Sequence, residues 1–183
     1  MRGISLLVLA AQTAFYTPLW AADRATAPGV ENFHQVNGRI FRGAQPKGED
    51  WDNLAKLGVK TVIDLRPARE HSCTAEKRAV EAAGMHYVNL PLNGLEAPTD
   101  SQISKALNLV DGSPESVFIH CRRGADRTGT VIACYRISHD GWTNKRALQE
   151  AVSYGMSWVE FGMQRYILNF HADKQTMVAQ PPR

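Results

Sequence analysis

Residues 120 to 130, "HCRRGADRTGT", set one thiol among three arginines, one aspartate and two glycines, directly after the apolar run 117–119. A disulfide needs none of these neighbours. A thiol that attacks a dianion needs most of them: glycines let the backbone curl its amides around an anion, and an arginine supplies a planar fork for two oxygens. The spacing is Cys121, five residues, Arg127 and Thr128, so the arginine opens the next helix and the hydroxyl falls beside the sulfur. A helix N-terminus that attracts phosphate also favours thiolate over thiol.

The surrounding elements must place that loop. "SVFIH" (116–120) reads as a central strand, and a helix follows from 127 to 139, ended by Gly141. A strand entering a loop and then a helix is where α/β proteins hold ligands, just beyond the strand's carboxyl end. Upstream, "FHQVNGRIFRG" (33–43) reads as a hairpin around Asn37-Gly38, a dipeptide suited to a tight two-residue turn. "EDWDNLAKLG" (49–58) reads as a helix stopped by Gly58, "VKTVIDL" (59–65) as a buried strand, and "AEKRAVEAAG" (75–84) as a helix stopped by Gly84. "MHYVNL" (85–90) is the next strand. A helix from "PTDSQISKALNLVDG" then opens on a capping box, Thr99 with Gln102. Thr143 caps a helix over 144–154, and "SWVEFGMQRYILNFHAD" supplies the last one. Strands alternating with helices predict an α/β fold, a mostly parallel sheet of about five strands with helices on both faces.

"HCRRGADRTG" resembles the signature loop of cysteine-dependent protein tyrosine phosphatases, and the layout around it looks like their compact dual-specificity branch, including bacterial exported members. "IFRGAQP" (40–46), "VIDLR" (62–66) and "GW…ALQE" (141–150) resemble further pieces of that branch, in the same order, so the resemblance covers roughly 33–170. It implies that Cys121 is the nucleophile and forms a phosphocysteine. Arg127 would bind phosphate and stabilise the transition state, and Thr128 would assist thiolate and release. His120 would support the loop's shape. Arg122, Arg123, Gly124, Ala125 and Asp126 would complete the phosphate cradle with Arg127. No metal or organic cofactor is implied. The substrates implied are phosphotyrosine, phosphoserine or phosphothreonine proteins, with inositol phosphates or phosphoinositides second, because Arg122 and Arg123 add charge at the rim. The plainer reading of those two arginines is a solvated rim that only raises the local potential.

Catalysis also needs a proton donor, and relatives carry an Asp in the loop before the cysteine. Here that loop, "PLNGLEAPTD" (91–100), has no Asp at its middle. Glu96 is the preferred candidate, followed by Asp100, which helix capping also explains, and Asp126, which could instead pair with Arg122 or Arg123. Two other classes compete. A rhodanese-type sulfurtransferase spaces its Cys and Arg one residue closer and has no use for Thr128. A phosphate-recognition module with little turnover follows if no acid operates.

Three cysteines at 73, 121 and 134 are too few for a disulfide framework, and no spacing suggests zinc. Cys134 reads as inert core and Cys73 as a surface or helix-start residue, although either could pair with an oxidised Cys121. Composition is that of a soluble globular chain, 44% hydrophobic and 21% charged. The net charge of +3, with no Lys/Arg run beyond two, gives no reason to expect nucleic acid. Residues 1–22, with Arg2, an apolar segment at 4–15 and small residues before Asp23, are expected to be a cleaved export signal, which makes the product periplasmic or secreted. Residues 23–32 are then expected to be a linker, 33–172 the catalytic domain and 173–183 a disordered tail. No stable membrane insertion is expected after cleavage, and the sequence leaves the oligomeric state open.

Overall fold

The computed structural model describes residues 27 and 29–172. The expected export signal, residues 23–26 of the expected linker and the tail at 173–183 lie outside the described residues. The strands are β1 (His34–Gln35), β2 (Ile40–Gly43), β3 (Val59–Asp64), β4 (His86–Asn89) and β5 (Ser116–His120). The helices are α1 (Asp50–Lys56), α2 (Cys73–Ala82), α3 (Asp100–Gly112), α4 (Asp126–His139), α5 (Asn144–Ser153) and α6 (Phe161–Leu168). A single 3-10 turn, Ala68–Glu70, follows β3.

The sheet order is β1-β2-β5-β3-β4, with β1 antiparallel and every other pairing parallel. The expected α/β architecture is the one found. β5 is central, and its last residue, His120, pairs with Gly43 of β2 on one side and Asp64 of β3 on the other. Three strands therefore release their loops at one level. The site forms there.

Strand side chains alternate between two cores, as a period of two requires. Ile40, Ile63, Val117 and Ile119 point to one face, where Ile103, Leu107 and Val110 of α3 and Val131 and Ile132 of α4 cover them. Phe41, Val62 and Phe118 point to the other, against Trp51 and Leu54 of α1 and Val80 of α2. Helix α4 lacks a polar stripe because it is enclosed twice, by the sheet and by α5 and α6. A Cβ on Gly129 would stand 3.2 Å from Ala151 Cβ, so α4 and α5 approach closely there.

Three local expectations need correction. The hairpin does not turn through a two-residue Asn-Gly corner: Val36 N–H donates to Ile40 C=O at 2.8 Å, enclosing three residues. Asn37 makes that turn with its side chain, whose Oδ1 accepts from Arg39 and Ile40 N–H at 3.0 and 2.9 Å, so Gly38 needs no positive φ. The last helix begins only at Phe161, because Ser157 N–H is drawn to Asp126 Oδ1 at 2.7 Å and the chain turns before it can coil. The described part of the expected linker packs on the domain: Ala27 and Val30 are buried beside Phe41 and Trp51. The capping box appears as expected, with Thr99 Oγ1 accepting from Gln102 N–H and Gln102 Oε1 accepting from Thr99 N–H.

One close approach fixes the site loop against the sheet. Gly124 has φ +67, and a Cβ on it would lie 2.3 Å from the carbonyl carbon of Gly43. Gly124→Ala should therefore push the loop off β2 and cost about 1–3 kcal/mol. A denaturant titration should show that loss, and vanadate binding should fall with it. An alanine variant with wild-type stability and vanadate affinity would contradict this account of the contact.

Candidate active site

Residues 121–125 connect β5 to α4, and something outside the loop holds each of their carbonyls. Cys121 C=O faces His120 Nδ1 at 3.3 Å. Arg122 C=O accepts from Gln45 N–H at 3.3 Å, and Arg123 C=O from Asn32 Nδ2 at 3.1 Å. Gly124 C=O accepts from Arg42 Nη2 at 2.6 Å, and Ala125 C=O from Gly129 N–H at 2.7 Å. With the carbonyls fixed outward, the amides of 122–128 find no acceptor among the described residues. They form an anion nest at a helix N-terminus. Cys121 sits at its edge, 2% exposed.

The donors behind the loop come from distant elements. Arg42 on β2 is 1% exposed and also stacks over the Tyr154 ring at 4.7 Å. Burial pushes its guanidinium down to about 10, against the pull of Glu150 and Cys121. Asn32, at φ 51, bonds Tyr154 C=O at 3.0 Å as well as Arg123 C=O, tying the residues before β1 to the loop.

His120 is fully buried, and its Nε2 lies 3.0 Å from Glu76 Oε1 on α2. Beneath it runs a closed ionic network. Arg66 bonds both oxygens of Asp64, at 2.9 and 3.2 Å, and also Glu76 Oε2. His71 Nε2 reaches Asp64 Oδ2 at 2.6 Å, and Tyr87 O–H donates to the same oxygen at 2.9 Å. Asp64, Glu76 and His120 could each turn one donor atom toward a common point, but Arg66 already hydrogen-bonds both carboxylates, and His71 and His120 face them as well. That donor set reads as structural support for the loop, not as a metal centre.

Arg127 lies against the cavity that Cys121 opens into, a space of about 510 Å³ also lined by Glu70, Gly94, Leu95, Arg122, Arg123, Asp126 and Glu160. Glu70, in the 3-10 turn, takes two N–H groups of Arg127, Nη1 and Nη2, at 3.0 and 2.9 Å. A guanidinium has five N–H donors, so three stay available while Glu70 fixes its plane. Thr128 Oγ1 is buried without a hydrogen-bond partner, an atom left over for a group the loop receives.

A family model described as "PTP-NADK: DSP-PTPase phosphatase fused to NAD+ Kinase" matches residues 18–167. The chain belongs to this DSP-PTPase family. It is similar to the dual specificity protein phosphatase TpbA of Pseudomonas aeruginosa UCBPP-PA14, 28% identical over 144 residues, 77% of this chain and 62% of that protein. It is also similar to the inositol diphosphatase DSP2 of Oryza sativa subsp. japonica, 30% identical over 122 residues, 64% of this chain and 59% of that one. The chain spans about three-fifths of the length of these curated relatives. Among solved structures, the core catalytic domain of the PP-IP phosphatase SIW14 from S. cerevisiae superposes with a TM-score of 0.72 at 25% identity, covering 84% of this chain and 94% of that one. P. aeruginosa TpbA superposes with a TM-score of 0.71 at 23% identity, over 84% and 93%, a likeness of fold alone.

Within this DSP-PTPase site, the three proton-donor candidates fall in different places. Glu96 is exposed and does not line the Cys121 cavity; the backbone at 96–97 rests on Gly162 of α6. Asp100 is exposed in the first turn of α3, where Oδ1 accepts from Tyr166 O–H at 2.8 Å. Asp126 lines the cavity, but Oδ2 takes Arg123 at 2.8 Å and Oδ1 takes Ser157 N–H at 2.7 Å, the structural pairing weighed for it above. Arg122 and Arg123 are exposed at the mouth of the cavity. Cys134 is fully buried, and burial pushes its thiol up; Cys73 opens α2 half-buried. Sequence reasoning missed Glu70, Glu76, Asn32 and Glu160 as site residues. The signals available were a carboxylate closing an apolar strand at Asp64 and an arginine two residues on, which together announce a buried ion pair.

The ionic network makes stability acid-sensitive. Burial pushes the Asp64 and Glu76 carboxyls up, but His120 and Arg66 outweigh it and hold both below their ordinary values of 3.8 and 4.5. The unfolded chain therefore takes protons first. The stabilisation is complete above the ordinary values and is lost as pH falls through the depressed ones. Asp64→Asn should lose about 3–5 kcal/mol at neutral pH and show a flatter acid limb of melting temperature. A wild-type slope between pH 5 and 3 in that variant (on the order of the usual carboxylate window) would remove Asp64 from this role.

Proposed function

We propose that this protein is a phosphoric monoester hydrolase that works through a phosphocysteine at Cys121, acting on phosphotyrosine, phosphoserine or phosphothreonine proteins. The observation that carries the reading is the ring of unpartnered amides at 122–128 around a thiol, with the carbonyls of 121–125 held outward. A phosphoryl group seated there has its equatorial oxygens on the amides and on Arg127, and its phosphorus in line with Cys121 Sγ. The sulfur attacks, the bond from phosphorus to the leaving oxygen breaks, and water then cleaves the P–S bond. Preorganised N–H donors stabilise the charge that builds on the transferring group, typically worth about 2.7–4 kcal/mol for each donor removed. Thr128 Oγ1 offers a hydrogen bond to the sulfur as it departs.

The relative TpbA is called a dual specificity protein phosphatase, and a TpbA variant has been crystallised with pTyr; both support protein substrates for this chain. A second reading rests on a separate observation. A neighbouring space of about 420 Å³ is lined by the cations Lys47, Arg122 and Arg123, by Arg66, which Asp64 and Glu76 already hold, and by the carboxylates Glu31 and Glu70; it shares Glu70, Arg122 and Arg123 with the catalytic cavity. A substrate carrying a second phosphate, such as an inositol polyphosphate, would find cations for it there. The inositol diphosphatase relative supports that reading. We also propose export to the periplasm or medium, supported by the pattern of residues 1–22.

Cys121→Ser should abolish turnover of para-nitrophenyl phosphate in a folded protein, since an alcohol is not ionised near neutral pH. Arg127→Lys should be impaired severely, because a point charge cannot replace the fork. Vanadate should compete with substrate, and EDTA should leave the rate unchanged. Loss of a nucleophile costs on the order of 10⁶-fold, so serine-variant activity within about tenfold of wild type would displace Cys121. A panel of phosphopeptides and inositol polyphosphates separates the substrates. Lys47→Ala should slow only the inositol compounds if the second reading holds.

A further inference from the structure

Resting on the phosphatase reading above, the geometry points to a proton donor outside the loop where one was expected. We propose that Glu160 gives a proton to the leaving oxygen and then takes one back from the attacking water. Glu160 precedes α6 and lines the same cavity as Cys121 and Arg127. It is 9% exposed, and its carboxylate accepts no hydrogen bond from the described residues.

The other carboxylates in that cavity are engaged. Both oxygens of Glu70 hold Arg127, and both oxygens of Asp126 are acceptors for Arg123 and Ser157. Among the described residues that line the cavity, only Glu160 brings an uncommitted carboxyl. Its position is built: Asp126 Oδ1 holds Ser157 N–H, and Glu160 N–H closes back on Ser157 C=O at 3.1 Å. The signature loop therefore fixes the turn that carries Glu160. The loop before α3 contributes Gly94 and Leu95 to the wall of the same cavity, and Leu95 stays exposed there.

The charged groups facing Glu160 are Asp126, Arg123 and Arg127, with Glu70 already paired to Arg127. Burial, then the Asp126 carboxylate, push the Glu160 carboxyl above its ordinary value, and Arg123 and Arg127 only partly oppose them. A raised carboxyl keeps its proton to higher pH, the state an acid catalyst must start from. Activity should therefore fall as pH rises through that value. In the first step Cys121 S⁻ bonds to phosphorus, the P–O bond to the leaving group breaks, and the Glu160 proton leaves with the alcohol. In the second, water bonds to phosphorus, its proton returns to Glu160, and the P–S bond breaks to restore the thiolate. Both steps balance without a further reactant.

The experiment compares Glu160→Gln and Glu96→Gln on an alkyl phosphate and on para-nitrophenyl phosphate, across pH. Glu160→Gln should lose about 10²–10⁴-fold on the alkyl phosphate and under tenfold on the aryl one, with a flattened basic limb. Vanadate affinity should stay at the wild-type level, which shows that the cradle is intact. If the Gln variant does not fold, Glu160→Asp is read instead, and it should keep a basic limb while losing at least about tenfold more on the alkyl ester. Equal losses on both esters, or the leaving-group signature appearing in Glu96→Gln, overturn the proposal. Wild-type protein without vanadate-sensitive turnover would instead overturn the phosphatase reading itself.

Discussion

The site depends on holding a short backbone segment inside out. Peptide carbonyls near an anion repel it, so a phosphate nest needs its carbonyls turned away and bonded elsewhere. Here five consecutive carbonyls, 121 to 125, are taken by a histidine ring, a backbone amide, an asparagine, a buried arginine and the first turn of α4. Those donors come from the segment before β1, from β2 and the loop that follows it, from β5 itself and from α4. The sheet order makes this possible. With β5 between β2 and β3, Gly43 and Asp64 flank His120 at the level where the loop begins.

Charge is handled in two layers. Below the loop, Asp64, Arg66, Glu76 and His120 form a network in which each carboxylate has a cationic partner, as buried ions require. Above it, Arg42 is a buried cation whose Nε and Nη1 have no hydrogen-bond partner. Burial lowers its affinity for its proton to about 10, still far above neutrality, so it remains a fixed positive charge behind the nest. Glu70 acts at the mouth, aligning Arg127 while leaving part of its fork free.

Most of the architecture is readable in the sequence because it depends on local rules. Strand β5 and helix α4 follow from an apolar run and a glycine stop, and the Thr99–Gln102 box marks the start of α3. The signature loop is legible because its chemistry is contiguous. Its supports are not. Arg42 reaches a carbonyl 82 residues away, and Arg127 meets Glu70 across 57, pairings that no local spacing announces. The turn at Asn37 departs from its dipeptide because the Asn37 side chain replaces the glycine conformation that the dipeptide suggests. The late start of α6 has the same origin, a tertiary bond from Ser157 to Asp126 overriding helix propensity.

The two cavities meet at Glu70, Arg122 and Arg123, and the two arginines make the rim common ground for any phosphate-bearing substrate. What sets the chemistry apart from simple anion binding is a covalent bond between phosphorus and Cys121 Sγ. Rapid acid quench of the protein mixed with an aryl phosphate, followed by peptide mass spectrometry, detects that bond directly. The account requires a phosphoryl group on the peptide carrying Cys121, formed within the first turnover and lost on the timescale of hydrolysis. Turnover with no phosphorylated peptide, or with phosphate on another residue, would contradict it.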